Sequence, residues 1–213
     1  MLIPAFNEEA TLAQIVKVAL AAELGPVLVV DDGSEDSSAK VAQTAGAAVL
    51  KLEQNLGKGG AVYLGAEALK TPVIVLIDAD LIGLSPKHIS DLANPVLSGE
   101  VNMTRGVFSG GRLATTLAQN LAPYLNGQRG IEREKLLSVP AIQESRYGIE
   151  VLITQAARTQ KWRCQDIELK NVSQIMKEEK RGFWQGFKHR LQGYAEILKS
   201  LLKPKAHNKQ SHN

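Results

Sequence analysis

Cysteine is almost missing from this chain. Cys164 is the only one in 213 residues, so an internal disulfide is excluded and a reducing compartment, the cytoplasm, is expected. Within the strand-like stretch Trp162 to Ile167 a lone thiol reads as a small core side chain rather than a nucleophile. Long apolar runs are missing too. The longest, Pro72 to Ile77, is strand-sized and far from the roughly 18 residues that cross a bilayer. Met1 leads into Leu-Ile-Pro-Ala-Phe and then acids, with no basic n-region, so no signal peptide is expected. Membrane contact is expected to be peripheral at most. Repeats and low-complexity tracts are absent, and nucleic acid is not an expected partner.

What is present is ordinary for a globular protein: 44% hydrophobic and 22% charged residues, in a length suited to one well-buried domain. The net charge of +3 is uneven. From Lys177 onward there are nine basic and three acidic residues, +6, which leaves −3 on the remainder. Such a basic tail suits an anionic surface or acceptor, or is a solvated helix face.

The first half alternates strand and helix signals. Leu2-Ile3 is a short strand, followed by a helix over about Glu9 to Ala22. Val27 to Val30 is an apolar strand, and the following helix ends near Gly46. Ala48 to Leu52 and Val73 to Ile77 are further strands, with a helix from Gly59 to Leu69 between them. Pro86 opens a helix expected to stop before Pro95. Apolar strands separated by helices of this length predict βαβ units, a mostly parallel sheet and helices on both faces. Later signals are a strand over Val101 to Phe108, helices over Leu113 to Leu121 and Tyr147 to Thr159, and a strand over Arg163 to Leu169. Phe183, Phe187, Leu191, Tyr194, Leu198 and Leu201 recur at helical spacing and predict an amphipathic helix used for core or dimer packing. His88 is expected to be exposed, and Trp162 to anchor packing.

In open α/β sheets ligands bind beyond the carboxyl ends of the strands. Three such ends here are polar: Pro4-Ala5-Phe6-Asn7-Glu8-Glu9, Asp31-Asp32-Gly33-Ser34-Glu35-Asp36 and Asp78-Ala79-Asp80. Each could be turn or cap chemistry alone; three together point to a site. Carboxylates after a buried strand are costly unless they meet a cation. Mg²⁺ or Mn²⁺, which prefer oxygen ligands and share substrate phosphates, fits Asp78-x-Asp80. Two residues apart in an extended segment face opposite ways, so one takes the ion and the other a water or a sugar hydroxyl. Gly57-Lys58-Gly59-Gly60 opens a helix and reads either as an anion cradle with a lysine or as a plain turn; it is not a P-loop.

IPAFNEE, VVDDGSEDS, NLGKGGAVYLG and IDADL, in this order over about Leu2 to Leu81, closely resemble the donor half of GT-A glycosyltransferases of the family two kind. The resemblance implies a Rossmann-like nucleotide-binding sheet, with Pro4, Ala5, Asn7 and Glu8, and Asp31 or Asp32, around base and ribose. It implies Lys58 near the nucleotide, and Asp78, Ala79 and Asp80 facing metal and donor sugar. The segments GEVNMTRGVFSGGRLATTLAQNLAPYL, GQRGIEREKL and SRYGIEVLI resemble the acceptor half of glucosyl-3-phosphoglycerate synthases. By that likeness Gly110, Gly111 and Arg112 hold an acceptor phosphate, Tyr147 and Gly148 line the reaction centre, and Glu150 is its carboxylate, with Asp78 as the second catalytic acid. The chain departs from the family at Ala114, where a threonine stands, and at Gln174, in the place of a histidine that completes the metal site. The family also has several residues ahead of IPAFNEE, so the first strand is expected to be clipped.

These readings predict a hexosyltransferase, α/β with the GT-A fold and a C-terminal amphipathic helix. Residues 1–206 are expected to form one domain: a nucleotide-sugar-binding half (1–98), an acceptor half (99–181) and the helix (182–203), with a disordered tail at 207–213. The expected partners are a UDP- or GDP-sugar, a small anionic acceptor or lipid phosphate, and a second copy as homodimer. The expected metal ligands are Asp80 and Gln174. The competing readings are a nucleotidyltransferase, which a Gly-rich basic opening loop would favour, and a non-catalytic nucleotide-sugar binder.

Overall fold

A computed structural model describes residues 1–109, 127–146 and 148–174. Their strands are β1 (Leu2–Ala5), β2 (Leu28–Asp31), β3 (Ala48–Lys51), β4 (Val73–Leu76), β5 (Leu81–Ile82), β6 (Met103–Ser109), β7 (Arg129–Glu132), β8 (Cys164–Lys170) and β9 (Ser173–Gln174). Their helices are α1 (Leu12–Ala21), α2 (Ser38–Thr44), α3 (Lys58–Ala68), α4 (Pro86–Leu97), α5 (Arg133–Leu137) and α6 (Ile149–Thr159). The main sheet has the order β3-β2-β1-β4-β7-β6-β8. Every pairing in it is parallel except the two made by β7. A small antiparallel ribbon joins β5 to β9, with Leu81 opposite Gln174.

The two-residue period of the strands assigns the helices to faces. Ile3, Val29, Val75 and Ile77 pack with Leu12, Ile15 and Val16 of α1, Ala42 of α2 and Ile89 and Leu92 of α4. Their sequence neighbours Leu2, Leu28, Val30, Ile74 and Leu76 pack on the other side with Ala61, Val62 and Ala66 of α3, Leu136 of α5 and Ile149 and Ile153 of α6. The central strands are thus buried on both faces, which is why they read as continuous apolar runs. Gly65 lets α3 lie against the sheet, because a Cβ there would strike Leu2 and come within 2.8 Å of Val30.

Several expectations are corrected. Strand β1 is not a two-residue stub but runs in register with β2 to Ala5↔Asp31. Helix α4 passes through Pro95 and ends at Leu97; a proline one turn from the end forfeits one helical bond, and Ser98 still donates to Asn94. His88 is half-buried. Its Nδ1 accepts from the Ser85 amide (3.2 Å), and its own amide donates to Ser85 Oγ, which closes a capping box. Cys164 is exposed rather than core, because β8 is an edge strand of the sheet. Trp162 is buried as expected, with the Lys135 ammonium 5.4 Å above its ring. Strand β7 and helix α5 were missed, since Arg-Gly-Ile-Glu carries no apolar run. The helix expected over Leu113 to Leu121 and the amphipathic helix over 183–202 lie outside the described residues.

Candidate active site

The carboxyl ends of β1, β2 and β4 open on one cavity of about 530 Å³. Pro4, Ala5, Glu8, Asp32, Lys58, Asp78, Ala79, Asp80 and Gln174 line it, joined by Phe6, Asn55, Gly57 and Arg146. Chain reversals at three adjacent strand ends are what bring residues so far apart in sequence together.

At the centre is a three-charge cluster. Lys58 Nζ lies 2.7 Å from Asp78 Oδ1 and 2.6 Å from Glu150 Oε1. Lys58 opens α3, Asp78 follows β4 and Glu150 lies in the first turn of α6, so the contact ties three separate elements together. Burial alone would lower the lysine's pKa, but the two carboxylates more than reverse this and hold it above its ordinary value. The cation is therefore fixed. Gly127 packs against the cluster: a Cβ there would stand 2.6 Å from Asp78 Oδ2 and 2.7 Å from Lys58 Nζ.

The second oxygen of Asp78 accepts from Gln174 Nε2 at 2.9 Å, and Asp80 Oδ1 lies 3.5 Å from the same nitrogen. The β5–β9 ribbon places Gln174 there. Gln174 turns its amide nitrogen to both carboxylates; with that amide turned over, two carboxylates and an amide oxygen would suit a hard divalent ion that completes its shell with water and phosphate. Among the described residues no cluster of three or more His, Cys, Asp or Glu forms a ready metal cage.

Asp31 and Asp32 behave differently from each other. Asp32 faces the cavity, and its Oδ1 and Oδ2 accept from the amides of Leu56 (2.7 Å) and Gly57 (2.9 Å). Burial raises its pKa, opposed by those two bonds and by Arg146. Asp31 is buried beneath, where Oδ1 accepts from the Ser34 amide and Oδ2 has no partner. Asn7 also supports the site from behind rather than lining it. With φ of 54° it accepts at Oδ1 from the Glu35 amide, and its own amide donates to Ser34 Oγ. Asn7 thus laces the first loop to the second.

In the Gly57-Lys58-Gly59-Gly60 segment three amides are engaged within the protein: Gly57 donates to Asp32, Lys58 to the Arg146 carbonyl (3.2 Å) and Gly59 to the Ser145 carbonyl (2.9 Å). The glycines are needed for contact, since a Cβ at Gly59 would collide with the carbonyl oxygens of Ile142 and Ser145. The same seam delivers Arg146, which sequence reasoning missed. Its guanidinium donates to Asn55 Oδ1 at 2.9 Å on the cavity wall. No composition signal marks it; only the seam does. Gly110, Gly111, Arg112 and Tyr147 lie outside the described residues.

A parallel sheet with one reversed strand, and acidic strand ends gathered on one cavity, defines a GT-A glycosyltransferase fold. The chain belongs to the glycosyl transferase family 2, whose profile matches residues 1–150. It is 30% identical to the glucosyl-3-phosphoglycerate synthase of Mycobacterium tuberculosis over 71% of this chain and 58% of that protein. It therefore spans less than two thirds of the length of that relative. The undecaprenyl-phosphate 4-deoxy-4-formamido-L-arabinose transferase of Pseudomonas aeruginosa is 38% identical over 46% of this chain and 32% of that protein. Among solved structures, the M. tuberculosis synthase in complex with Mn²⁺, UDP and phosphoglyceric acid superposes with a TM-score of 0.76 at 26% identity, covering 96% of this chain and 78% of that one. The same enzyme with Mg²⁺ and UDP gives 0.69 at 28% identity, covering 82% and 70%. No helix among the described residues is long and apolar enough to cross a membrane.

Proposed function

We propose that this chain transfers a hexosyl unit from a UDP- or GDP-sugar to an acceptor bearing a phosphate, with Mg²⁺ or Mn²⁺ as cofactor. The observation that supports it most is the Lys58 ammonium held between Asp78 and Glu150 on the wall of the cavity. A fixed cation at the place where a diphosphate departs stabilises charge that develops only in the transition state. Pro4, Ala5, Glu8 and Asp32 would enclose base and ribose, with Arg146 as a further cation beside them. Asp80 would hold the metal, with Gln174 offering its amide oxygen and Asp78 facing a water or the donor sugar; the bound ion would neutralise the leaving diphosphate. Glu150 would orient the acceptor hydroxyl. Asn7 and Asp31 would act indirectly, by fixing the loops that carry these groups.

The phosphate class of acceptor rests on two relatives, one crystallised with phosphoglyceric acid and one named for a polyprenyl phosphate. Gly110, Gly111, Arg112 and Tyr147 are the proposed acceptor residues, on the sequence likeness. We further place the protein in the cytoplasm as a homodimer, with donor half 1–98, acceptor half 99–181 and a packing helix over 182–203.

The test is nucleotide release from UDP- and GDP-sugars, with Mn²⁺ or chelator, in the presence of phosphoglycerate or a short polyprenyl phosphate. Release is expected only with metal and one of the two acceptors, and Arg112→Ala should raise that acceptor's KM while leaving the donor's unchanged. Binding of nucleotide without release from any donor–acceptor pair would reduce the protein to a nucleotide-sugar binder.

A further inference from the structure

Arg129 is among the largest fully buried side chains of the domain, at 0% exposure. All its hydrogen-bond partners are neutral. Nη1 donates to Met103 Sδ (3.5 Å), Nη2 to the Glu150 carbonyl oxygen (3.2 Å) and to Thr154 Oγ1 (3.1 Å), and Nε has no partner among the described residues. Burying a guanidinium without a carboxylate beside it is expensive. Burial pushes its pKa down to about 10, against the pull of the Glu150 charge. A methionine or leucine would fill this space at far lower cost, so packing alone does not account for the residue.

Its position does. Arg129 opens β7 opposite Leu76 of β4, two residues ahead of Asp78. Its far end reaches the first turn of α6. That turn begins from Gly148 in the left-handed region (φ 78°) with no side-chain cap, and the Gly148 carbonyl accepts from the amides of Val151 and Leu152. Thr154 Oγ1 donates to the same Glu150 carbonyl at 2.7 Å. Arg129, Thr154 and that carbonyl thus form a closed triangle beneath the helix.

We propose that Arg129 and Thr154 are positioning residues that fix the first turn of α6 to the strand beside β4, so that the Glu150 carboxylate meets Lys58. This rests on the transferase reading above for its catalytic consequence but not for its geometry. A displacement of about 1 Å at such a group can cost on the order of a hundredfold in rate. The link is through backbone, so it demands the Thr154 hydroxyl and not merely its volume.

The experiment compares Thr154→Val with Thr154→Ser. Consumption of UDP-glucose is followed with acceptor and in water alone, UDP affinity by calorimetry, and each variant is crystallised. Thr154→Val is expected to lower kcat by about tenfold or more while UDP affinity stays within about twofold; Thr154→Ser should keep wild-type kcat. In the Thr154→Val crystal the Glu150 carboxylate should leave Lys58. An intact Lys58–Glu150 contact in that crystal overturns the proposal, as does equal loss in the serine variant. Should Thr154→Val not fold, Arg129→Lys, which keeps the charge but not the fork, is read in the same way. If the wild type binds UDP but consumes no donor, the transferase reading fails and the crystals alone decide the positioning claim.

Discussion

The domain carries two acidic strand ends, Asp31-Asp32 after β2 and Asp78-x-Asp80 after β4, and they are built to opposite purposes. At Asp32 both oxygens are committed to backbone amides of Leu56 and Gly57, and Asp31 is closed into the loop of Ser34. At Asp78 the partners are side chains, the Lys58 ammonium and the Gln174 amide. The first pair is thus held by the backbone of the loops around it, and Asp78 by side chains delivered from α3 and β9. Like motifs in sequence thus differ in what satisfies them.

The largest expected effect tests the cluster at Lys58. Glu150→Gln should keep the fold and UDP affinity but lower turnover by about a hundredfold or more, the usual scale for a positioned acid–base group. Near-normal turnover would remove Glu150 from the reaction. Next comes the architectural pair. Asp32→Ala strands two amides that now donate to a charged acceptor, so a loss of about 2–4 kcal/mol is expected in urea unfolding, against less than about 1 kcal/mol for Asp78→Asn. Equal losses would erase the distinction between the two pairs.

A subtler effect concerns the metal. Asp80→Asn should abolish the Mn²⁺-dependent part of UDP binding and leave the metal-independent part largely unchanged, because the cavity wall at Pro4, Ala5 and Asp32 is untouched. Calorimetry with Mn²⁺ and with chelator reads both parts. If chelator has no effect on the wild type, Asp80 is not a metal ligand.

The sheet was legible because its central strands are buried on both sides and leave apolar runs that nothing else explains. The cavity wall was legible because its polar residues follow those runs directly. What was not legible depends on contacts between distant segments. The glycines of Gly57 to Gly60 suggested an anion cradle, yet Gly59 is needed for the carbonyls of Ile142 and Ser145 and Gly57 for the backbone of Arg146, more than 80 residues away. Arg146 and Gly127 reach the site for the same reason, and β7 hid because its burial comes from neighbours rather than from its own side chains. Gln174 was expected as a metal ligand with Asp80; that its amide donates to both carboxylates needed the β5–β9 ribbon to be seen.

The smallest effect is the most direct check on the committed pair. Burial raises the Asp32 pKa above its ordinary value of 3.8. The folded protein then holds that proton more tightly than the unfolded chain does. The resulting stability is fully present below the unfolded pKa and is lost as pH rises through the folded one. Asp32→Asn cannot titrate there. It also costs a constant amount, since one amide of Leu56 or Gly57 loses its acceptor. The wild type should therefore lose its advantage over Asp32→Asn slightly as pH rises from about 3 to 6, while the Asp78→Asn comparison shows no such trend from Asp32. Urea midpoints of both proteins across that range measure the slope difference. A difference that grows with pH in favour of the wild type would mean that the Leu56 and Gly57 amides outweigh burial, and that Asp32 is held ionised rather than resisted.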